Sequence, residues 1–269
     1  GRFDMEGSNQ LPVNVAVHGC VTRTVRDTIA FHRAMCALGE VAPAPSKPLR
    51  MGLYVDAPTG TPVDVEMQEA VRAAGRACAA LGHQVDEIAC PFPAQAIDDF
   101  LAYWGFLAWL QVKTSRLMLD RRFDKAKLEP WTAGLAASFT TNRRGVFSSI
   151  RRLRAFHRSY ASVLEGYDVL VSPSVAAPAL PLGYLATDLA YQDHFDRVRT
   201  FAAFTPLHNA AGAPSISLPL ARTTAGLPLG VQFAAARGQD ALLLSLALTL
   251  EQALPWPATA PRRGLSRSG

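Results

Sequence analysis

Two short segments of the sequence contain side chains that could take part in hydrolysis. Ser172 and Ser174 follow an apolar run in Val-Ser-Pro-Ser-Val. Further along the chain, His208 stands next to Asn209. A serine nucleophile needs a neighbouring base and a group that holds the oxyanion. Pro173 favours a turn at the two serines, and we expect Asn209 to bind loop backbone while His208 packs. From the residue types and their spacing alone, we therefore assign no catalytic residue.

The sequence also lacks the spacings that are typical of other catalytic, metal and cofactor sites. It has no Gly-x-Ser-x-Gly, His-Glu-x-x-His or Gly-x-Gly-x-x-Gly pattern, and its six histidines show no ligand spacing. A lysine base needs a pKa that is lowered by burial or by neighbouring dipoles. The four lysines instead stand in a proline-rich linker or among polar residues: Lys47, Lys113, Lys125 and Lys127. We predict no metal, no cofactor and no Ser–Lys pair.

The composition is that of a globular protein. Of 269 residues, 49% are apolar and 18% are charged. No apolar run is long enough to span a bilayer, and residues 1–6 show no signal pattern, so we predict a cytoplasmic protein without a membrane partner. The four cysteines lie far apart and are predicted to be buried thiols: Cys20, Cys36, Cys78 and Cys90.

The net charge of +5 comes from arginines. On a predicted helix, an apolar stripe is formed by Val146, Ile150, Leu153, Phe156 and Tyr160. Arg151, Arg154 and Arg158 share another face, which we interpret as solvated rather than as a nucleic-acid site.

Hydrophobic spacing predicts the elements of an α/β domain. A helix follows the capping box at 24–27 and ends near Leu38. Residues 50–56 and 83–89 are predicted strands on either side of a helix that begins at Thr61, and this unit implies parallel neighbours. Residues 94–164 form a variable, aromatic-rich helical segment. A strand is predicted at 167–173, a helix interrupted by Pro206 at 191–211, two buried strands around Gly226, and a helix at 239–254.

Five blocks of sequence occur in an order that resembles the amidase signature hydrolases. They are residues 22–27, 167–173, 209–219, 226–232 and 250–256, and residues 98–108 are similar to one bacterial amidase subgroup. The resemblance implies a single α/β domain over residues 1–269, with a mixed, largely parallel sheet and helices on both faces. It also implies hydrolysis of a small-molecule carboxamide to an acid and ammonia or an amine.

In the family that the chain resembles, the catalytic residues are a serine nucleophile, a second serine in a cis peptide and a lysine base. That resemblance places all three before Gly1, so we expect an N-terminally incomplete chain that is inactive and poorly soluble alone. The resemblance also implies that Phe204 and Thr205 face the acyl side of the substrate and that Trp104 closes the pocket. Core packing is the alternative role for each aromatic residue. An aromatic pocket would favour an apolar acyl or aryl amide.

Two other functions stay open from the sequence. The first is that of a glutamine-dependent tRNA amidotransferase component, although Ala202 stands where the resemblance implies an acidic residue for glutamine. The second is a non-catalytic binding or interaction module that keeps the sheet and the pocket. A homodimer is one oligomeric state that the sequence leaves open.

Overall fold

The computed structural model describes residues 11–36, 38–118, 120–141 and 143–257. The α-helices in these ranges are α1 (Val25–Met35), α2 (Val65–Ala80), α3 (Ala94–Met118), α4 (Pro130–Thr141), α5 (Arg143–Val163), α6 (Tyr191–Phe201), α7 (Thr205–Ala211) and α8 (Asp240–Ala253). A short 3-10 helix spans Lys125–Lys127. The strands are β1 (Arg50–Leu53), β2 (Gln84–Glu87), β3 (Val169–Pro173), β4 (Ser215–Arg222) and β5 (Pro228–Ala235).

The five strands form one mixed sheet in the order β2-β1-β3-β5-β4. β1 pairs in parallel with β2 and with β3, because α2 and the long helical segment return the chain to the same end of the sheet. β5 pairs antiparallel with β3 and with β4. The turn between β4 and β5 requires Gly226, whose φ of 82° lies in the left-handed region. The predicted α/β class with a mixed sheet is confirmed.

Several predicted helix boundaries are wrong by a few residues. The Thr24 side chain does accept a hydrogen bond from the Asp27 amide, at 3.1 Å, but α1 ends at Met35 rather than near Leu38. The cap of α2 is Asp64 and not Thr61, and the Asp64 amide donates to the Ala176 carbonyl. That bond holds the preceding residues in an extended conformation.

The predicted helix at 191–211 is two helices, α6 and α7. The break comes at 202–204, before Pro206, which lies in the first turn of α7. Proline is accepted there because the first helical amides have no partner within the helix. α7 then ends at Gly212, which has a φ of 65°.

The prediction of two buried strands at the end of the sheet is half right. β5 is buried along nearly its whole length. β4 is an edge strand, and its side chains alternate: Leu218 is buried while Ser217 is exposed. The alternation arises because one face of β4 packs on the core and the other face has less cover. The sequence signal of an apolar run bounded by glycine and proline did not distinguish a central strand from an edge strand.

An aliphatic core lies between one face of the sheet and helices α1, α2 and α8. It contains alternate residues of four strands, and its members include Met51, Leu53, Val169, Val171, Leu218, Val231 and Phe233. Cys78 of α2 is buried here, and burial raises the pKa of its thiol to about 12. The prediction of buried thiols is correct for Cys78 and wrong for the other three, which are half-buried. We call this side of the sheet the aliphatic face.

An aromatic core covers the opposite side of the sheet, under α3, α5 and α7. Its large members are Tyr54, Phe92, Tyr103, Phe156, Tyr160 and Phe204. The apolar stripe predicted for 146–160 is confirmed, and Arg151, Arg154 and Arg158 lie exposed as expected. We call this side the aromatic face.

A buried ion pair ties α3 to α5 on the aromatic face. Arg152 Nε donates to Asp99 Oδ2 at 2.7 Å, and the Gln95 amide donates to the other carboxylate oxygen at 3.1 Å. The Asp99 side chain is 3% exposed, whereas that of Arg152 is 44% exposed. The contact therefore fixes the helical segment at a buried point while the charge of Arg152 still reaches solvent.

Candidate functional site

A cavity of about 920 Å³ lies along the free edge of β4. One wall is the extended segment at 12–25, and the other is the chain from Asn209 through Pro219. Arg154 anchors the extended segment, because its Nε donates to the Pro12 carbonyl at 3.0 Å. The Tyr103 hydroxyl donates to the carbonyl of Val13 at 2.8 Å, and the Val13 amide returns a bond at 3.2 Å. These contacts fix the extended segment in place beside the edge of β4.

A pair of serine hydroxyls meets across β5, one from Ser174 just after β3 and the other from Ser217 on β4. Ser174 Oγ and Ser217 Oγ are 2.7 Å apart, and Ser217 also lines the cavity. Gly230 of β5 leaves room for this contact, because a Cβ at this position would lie only 2.7 Å from Ser217 Oγ and 3.0 Å from Ser174 Oγ. The carboxyl end of a strand such as β3 is where open α/β sheets bind ligands. The pair is therefore a candidate contact for a bound molecule.

Two more polar side chains continue this cluster into the sheet. Ser172 and Gln232 are cross-strand partners, and Gln232 in turn faces Ser217. All three point away from the aliphatic face, because their strand neighbours such as Val171 and Phe233 belong to the aliphatic core. Ser172 is buried and its hydroxyl donates to the Pro173 carbonyl at 3.2 Å, so it is a poor nucleophile. Gln232 is also buried, and its Oε1 has no hydrogen-bond partner among the described residues.

His208 lies in the aromatic core and does not contact the serine cluster through any hydrogen bond of the described residues. Its Nδ1 shares a 2.8 Å hydrogen bond with the Tyr160 hydroxyl. The imidazole is 1% exposed, and this burial lowers the pKa of His208 to about 4. Burial also raises the pKa of Tyr160 well above its usual range. Both groups are therefore neutral at pH 7, and the prediction that His208 packs in the core is confirmed.

None of the lysines is in a position to act as a base near these serines. All four are exposed: Lys47, Lys113, Lys125 and Lys127. Lys47 pairs with Asp168 at 3.5 Å, at the opposite end of β3 from Ser174. The Ser174 and Ser217 hydroxyls hydrogen-bond to each other, and none of the four lysines is held in a buried position beside them.

The three predicted substrate contacts do not line the cavity, and Phe204 and Trp104 belong to different hydrophobic clusters. Phe204 is fully buried against Tyr54, with 6.2 Å between ring centroids. Thr205 begins α7 and is half-buried. Trp104 lies on α3 and packs edge-on against Trp131 at 5.5 Å, in a separate aromatic cluster. Their contact with a substrate stays a prediction.

Sequence reasoning missed Ser217, Gln232 and Tyr160 as members of polar clusters. Side chains alternate between the two faces of the sheet along β4 and β5. This alternation puts Ser217 and Gln232 on the same face once β4 is recognised as an edge strand. Tyr160 was assigned only to the apolar stripe of α5. Its hydroxyl partner, His208, is 48 residues away in sequence, so no local pattern indicates the pair.

Other kinds of site are not found in the part of the chain that the structure describes. There, no group of three histidine, cysteine or acidic side chains is placed to hold a metal ion. Within the same residues, no helix is both long and apolar enough to cross a bilayer.

The comparisons with known proteins agree with the fold. The family model described as Amidase matches residues 1–244. AmiC of Mycobacterium leprae is 39% identical over 267 residues, which cover 95% of this chain and 57% of AmiC. The 6-aminohexanoate-cyclic-dimer hydrolase of Paenarthrobacter ureafaciens is 30% identical, over 92% of this chain and 55% of the hydrolase.

Solved structures of the same family share the architecture. A 6-aminohexanoate cyclic dimer hydrolase superposes with a TM-score of 0.73 at 26% identity, over 93% of this chain and 60% of that one. A bacterial aryl acylamidase of the amidase signature enzymes superposes with a TM-score of 0.72 at 22% identity, which shows a common fold, over 90% of this chain and 55% of that one. The chain therefore belongs to the amidase family, and it spans little more than half the length of the curated relatives it matches.

Proposed function

We propose that this chain is the C-terminal part of an amidase that hydrolyses a small-molecule carboxamide to a carboxylic acid and ammonia or an amine. In this proposal residues 11–257 form the scaffold and one wall of the substrate site. The nucleophile and its base come from outside these residues. The observation that supports the proposal most strongly is the family match over residues 1–244 in a chain whose lysines are all exposed.

The chemistry of the described residues supports this division of roles. Amide hydrolysis by a serine requires a base that is neutral at working pH and close to the hydroxyl. The Ser174–Ser217 pair has no such neighbour among the described residues, and His208 is engaged with Tyr160 in the core. The cyclic-dimer hydrolase and the aryl acylamidase both cleave amide bonds by their names.

The predicted substrate contacts remain part of the proposal. Thr205, at the start of α7, would face the acyl group, with Phe204 behind it as apolar support. Trp104 would close the pocket from α3. An aromatic and apolar lining of this kind favours an apolar acyl or aryl amide over a charged one.

The experiment compares two proteins on the same amides. The protein from the complete reading frame and residues 1–269 alone are incubated with benzamide, hexanamide and 4-nitroacetanilide, and release of ammonia or 4-nitroaniline is followed. We expect turnover of at least one amide by the complete protein and none by residues 1–269. Turnover by residues 1–269 would contradict the assigned roles, and a complete protein that hydrolyses no amide would contradict the amidase proposal.

A second candidate is a role within a glutamine-dependent tRNA amidotransferase. A relative from Syntrophus aciditrophicus, which is named as part of a glutamyl-tRNA(Gln) amidotransferase, is 26% identical over 212 residues. Ala202, at the end of α6, offers no charge to hold free glutamine. Glutaminase activity of the complete protein that exceeds its activity on benzamide would favour this candidate, and the reverse ratio is expected.

A further inference from the structure

Gln232 is a buried amide without a full set of partners. The residue is 4% exposed, and its Oε1 accepts no hydrogen bond from the described residues. An unpaired buried amide destabilises a fold. Gln232 does not itself line the cavity, but its cross-strand neighbour Ser217 does. A buried acceptor of this kind has the chemistry needed to accept a hydrogen bond from a bound molecule.

The cross-strand neighbours of Gln232 connect this acceptor to the cavity. Gln232 lies between Ser172 on β3 and Ser217 on β4, and side chains of such cross-strand neighbours on one face lie about 5 Å apart. Ser217 lines the cavity and contacts the hydroxyl of Ser174. The three strands therefore present a strip of two hydroxyls and an amide, which we call the polar strip (Ser174, Ser217 and Gln232). Gly230 leaves room for the contact between the two serine hydroxyls, because a side chain there would collide with both serines.

We propose that Gln232 is a substrate-positioning residue whose side-chain carbonyl accepts a hydrogen bond from the N–H of the amide to be hydrolysed. This inference rests on the proposed amidase function. A carboxamide has one feature that an ester of the same acyl and leaving groups lacks, namely its N–H donor. Oε1 is an acceptor and cannot recognise the substrate carbonyl, so the nitrogen side of the scissile bond is its complement.

The role predicts a loss of discrimination rather than a uniform loss of activity. A site that hydrogen-bonds an N–H favours amide over ester, because the ester leaves the buried acceptor unpaired. Replacing Gln232 with a side chain that has no acceptor removes this advantage. The amide and the ester share the same nucleophile and oxyanion site, so those steps are unaffected.

The experiment uses the protein from the complete reading frame with two variants, Gln232→Met and Gln232→Asn. Methionine keeps the volume and removes the acceptor, whereas asparagine keeps the amide but withdraws it by one methylene. For each amide that the unchanged protein hydrolyses, kcat/KM is compared with that for the matching ester: 4-nitroacetanilide with 4-nitrophenyl acetate, and benzamide with methyl benzoate. Gln84→Met, at an exposed position of β2 on the far edge of the sheet, is the matched control.

We expect kcat/KM for the amide to fall about tenfold or more in both variants, as for the loss of one buried hydrogen bond, and the value for the ester to change less than about threefold. Gln84→Met should change neither value. Equal losses for amide and ester, or no loss, in a variant with an unchanged unfolding transition would overturn the inference while leaving the amidase function intact. Two variants that do not fold would also overturn it, because Gln232 would then be a structural residue. If the unchanged protein hydrolyses no amide, the proposed function fails first.

Discussion

The two faces of the sheet differ in chemistry although they share the same five strands. The aliphatic face is filled by valine, leucine, methionine and alanine from the strands and from α1, α2 and α8, and Cys78 there is held as a neutral thiol. The aromatic face contains the hydrogen-bonded pair Tyr160–His208. Among the described residues, His208 Nε2 and Gln232 Oε1 on this side are buried without a hydrogen-bond partner. Residues one position apart on β3 and β5 point to these two environments.

This difference indicates which side of the sheet stabilises the fold and which side is suited to function. Unpaired buried polar atoms are costly, and among the described residues three of them, on Tyr54, His208 and Gln232, lie on the aromatic face. One, Ser245 Oγ, lies on α8, which packs on the aliphatic face. The aliphatic face gains its stability mainly from burial of apolar area. If the two faces have these separate roles, they should respond differently to substitution.

The largest effect is expected on the aliphatic face, at Phe233 of β5. Phe233 is fully buried, so Phe233→Ala leaves a cavity and lowers the free energy of unfolding by about 3–5 kcal/mol. Urea denaturation of the complete protein measures this loss. Val65→Ala is the control, because Val65 is 76% exposed and should change stability by less than about 0.5 kcal/mol. A similar small change for both variants would show that this face is not packed as described.

The second-largest effect on the free energy of unfolding is expected for His208 on the aromatic face, and it depends on pH. Its folded-state pKa of about 4 lies below the ordinary value of 6.5 because the imidazole is buried. The unfolded chain therefore binds the extra proton below pH 6.5. This contribution to stability is fully present above pH 6.5 and is lost as the pH falls toward 4, by about 3 kcal/mol at most.

The control for this prediction is His208→Gln, which keeps a hydrogen-bonding group beside Tyr160 but does not titrate. Unfolding free energies of both proteins are measured from pH 7 to pH 4. We expect the unchanged protein to lose stability more steeply over this range than the variant. Parallel curves would mean that His208 is not buried as a neutral imidazole.

A smaller effect is expected for the ion pair between α3 and α5. Asp99→Asn removes a buried carboxylate that accepts from Arg152, and should lower the unfolding free energy by about 1–2 kcal/mol because Arg152 can still be solvated. Asp98→Asn breaks the exposed contact with Arg199, at 3.2 Å, and should cost only a few tenths of a kcal/mol. If Asp98→Asn lowered the unfolding free energy more than Asp99→Asn, burial of the carboxylate would not explain the difference between the two ion pairs.

Hydrophobic spacing was enough to predict the class of fold and most of its elements. The β1–α2–β2 unit, the stripe of α5 and the final helix follow from periods of two and 3.6 residues, which depend only on local geometry. The boundaries failed where a distant contact decides them. Asp64 caps α2 through its side chain, which accepts a hydrogen bond from the Glu66 amide. Its own amide donates to the distant Ala176 carbonyl, and no pattern near Thr61 indicates that contact.

The candidate site was less accessible to sequence reasoning because its members come from distant parts of the chain. Ser174, Ser217 and Gln232 meet only when β5 is inserted between β3 and β4. The family resemblance pointed to Trp104 and Phe204 instead, although Trp104 lies in a separate aromatic cluster and Phe204 is fully buried. Side-chain type indicates what a residue can bind, whereas strand order decides which residues lie together.

The most direct test of the proposed division of roles is covalent labelling of the complete protein with a fluorophosphonate, a reagent that modifies activated serines, followed by peptide mapping by mass spectrometry. The account predicts a single labelled serine outside residues 11–257, with the extent of labelling matching the loss of amide hydrolysis. Stoichiometric label on Ser172, Ser174 or Ser217 would contradict it.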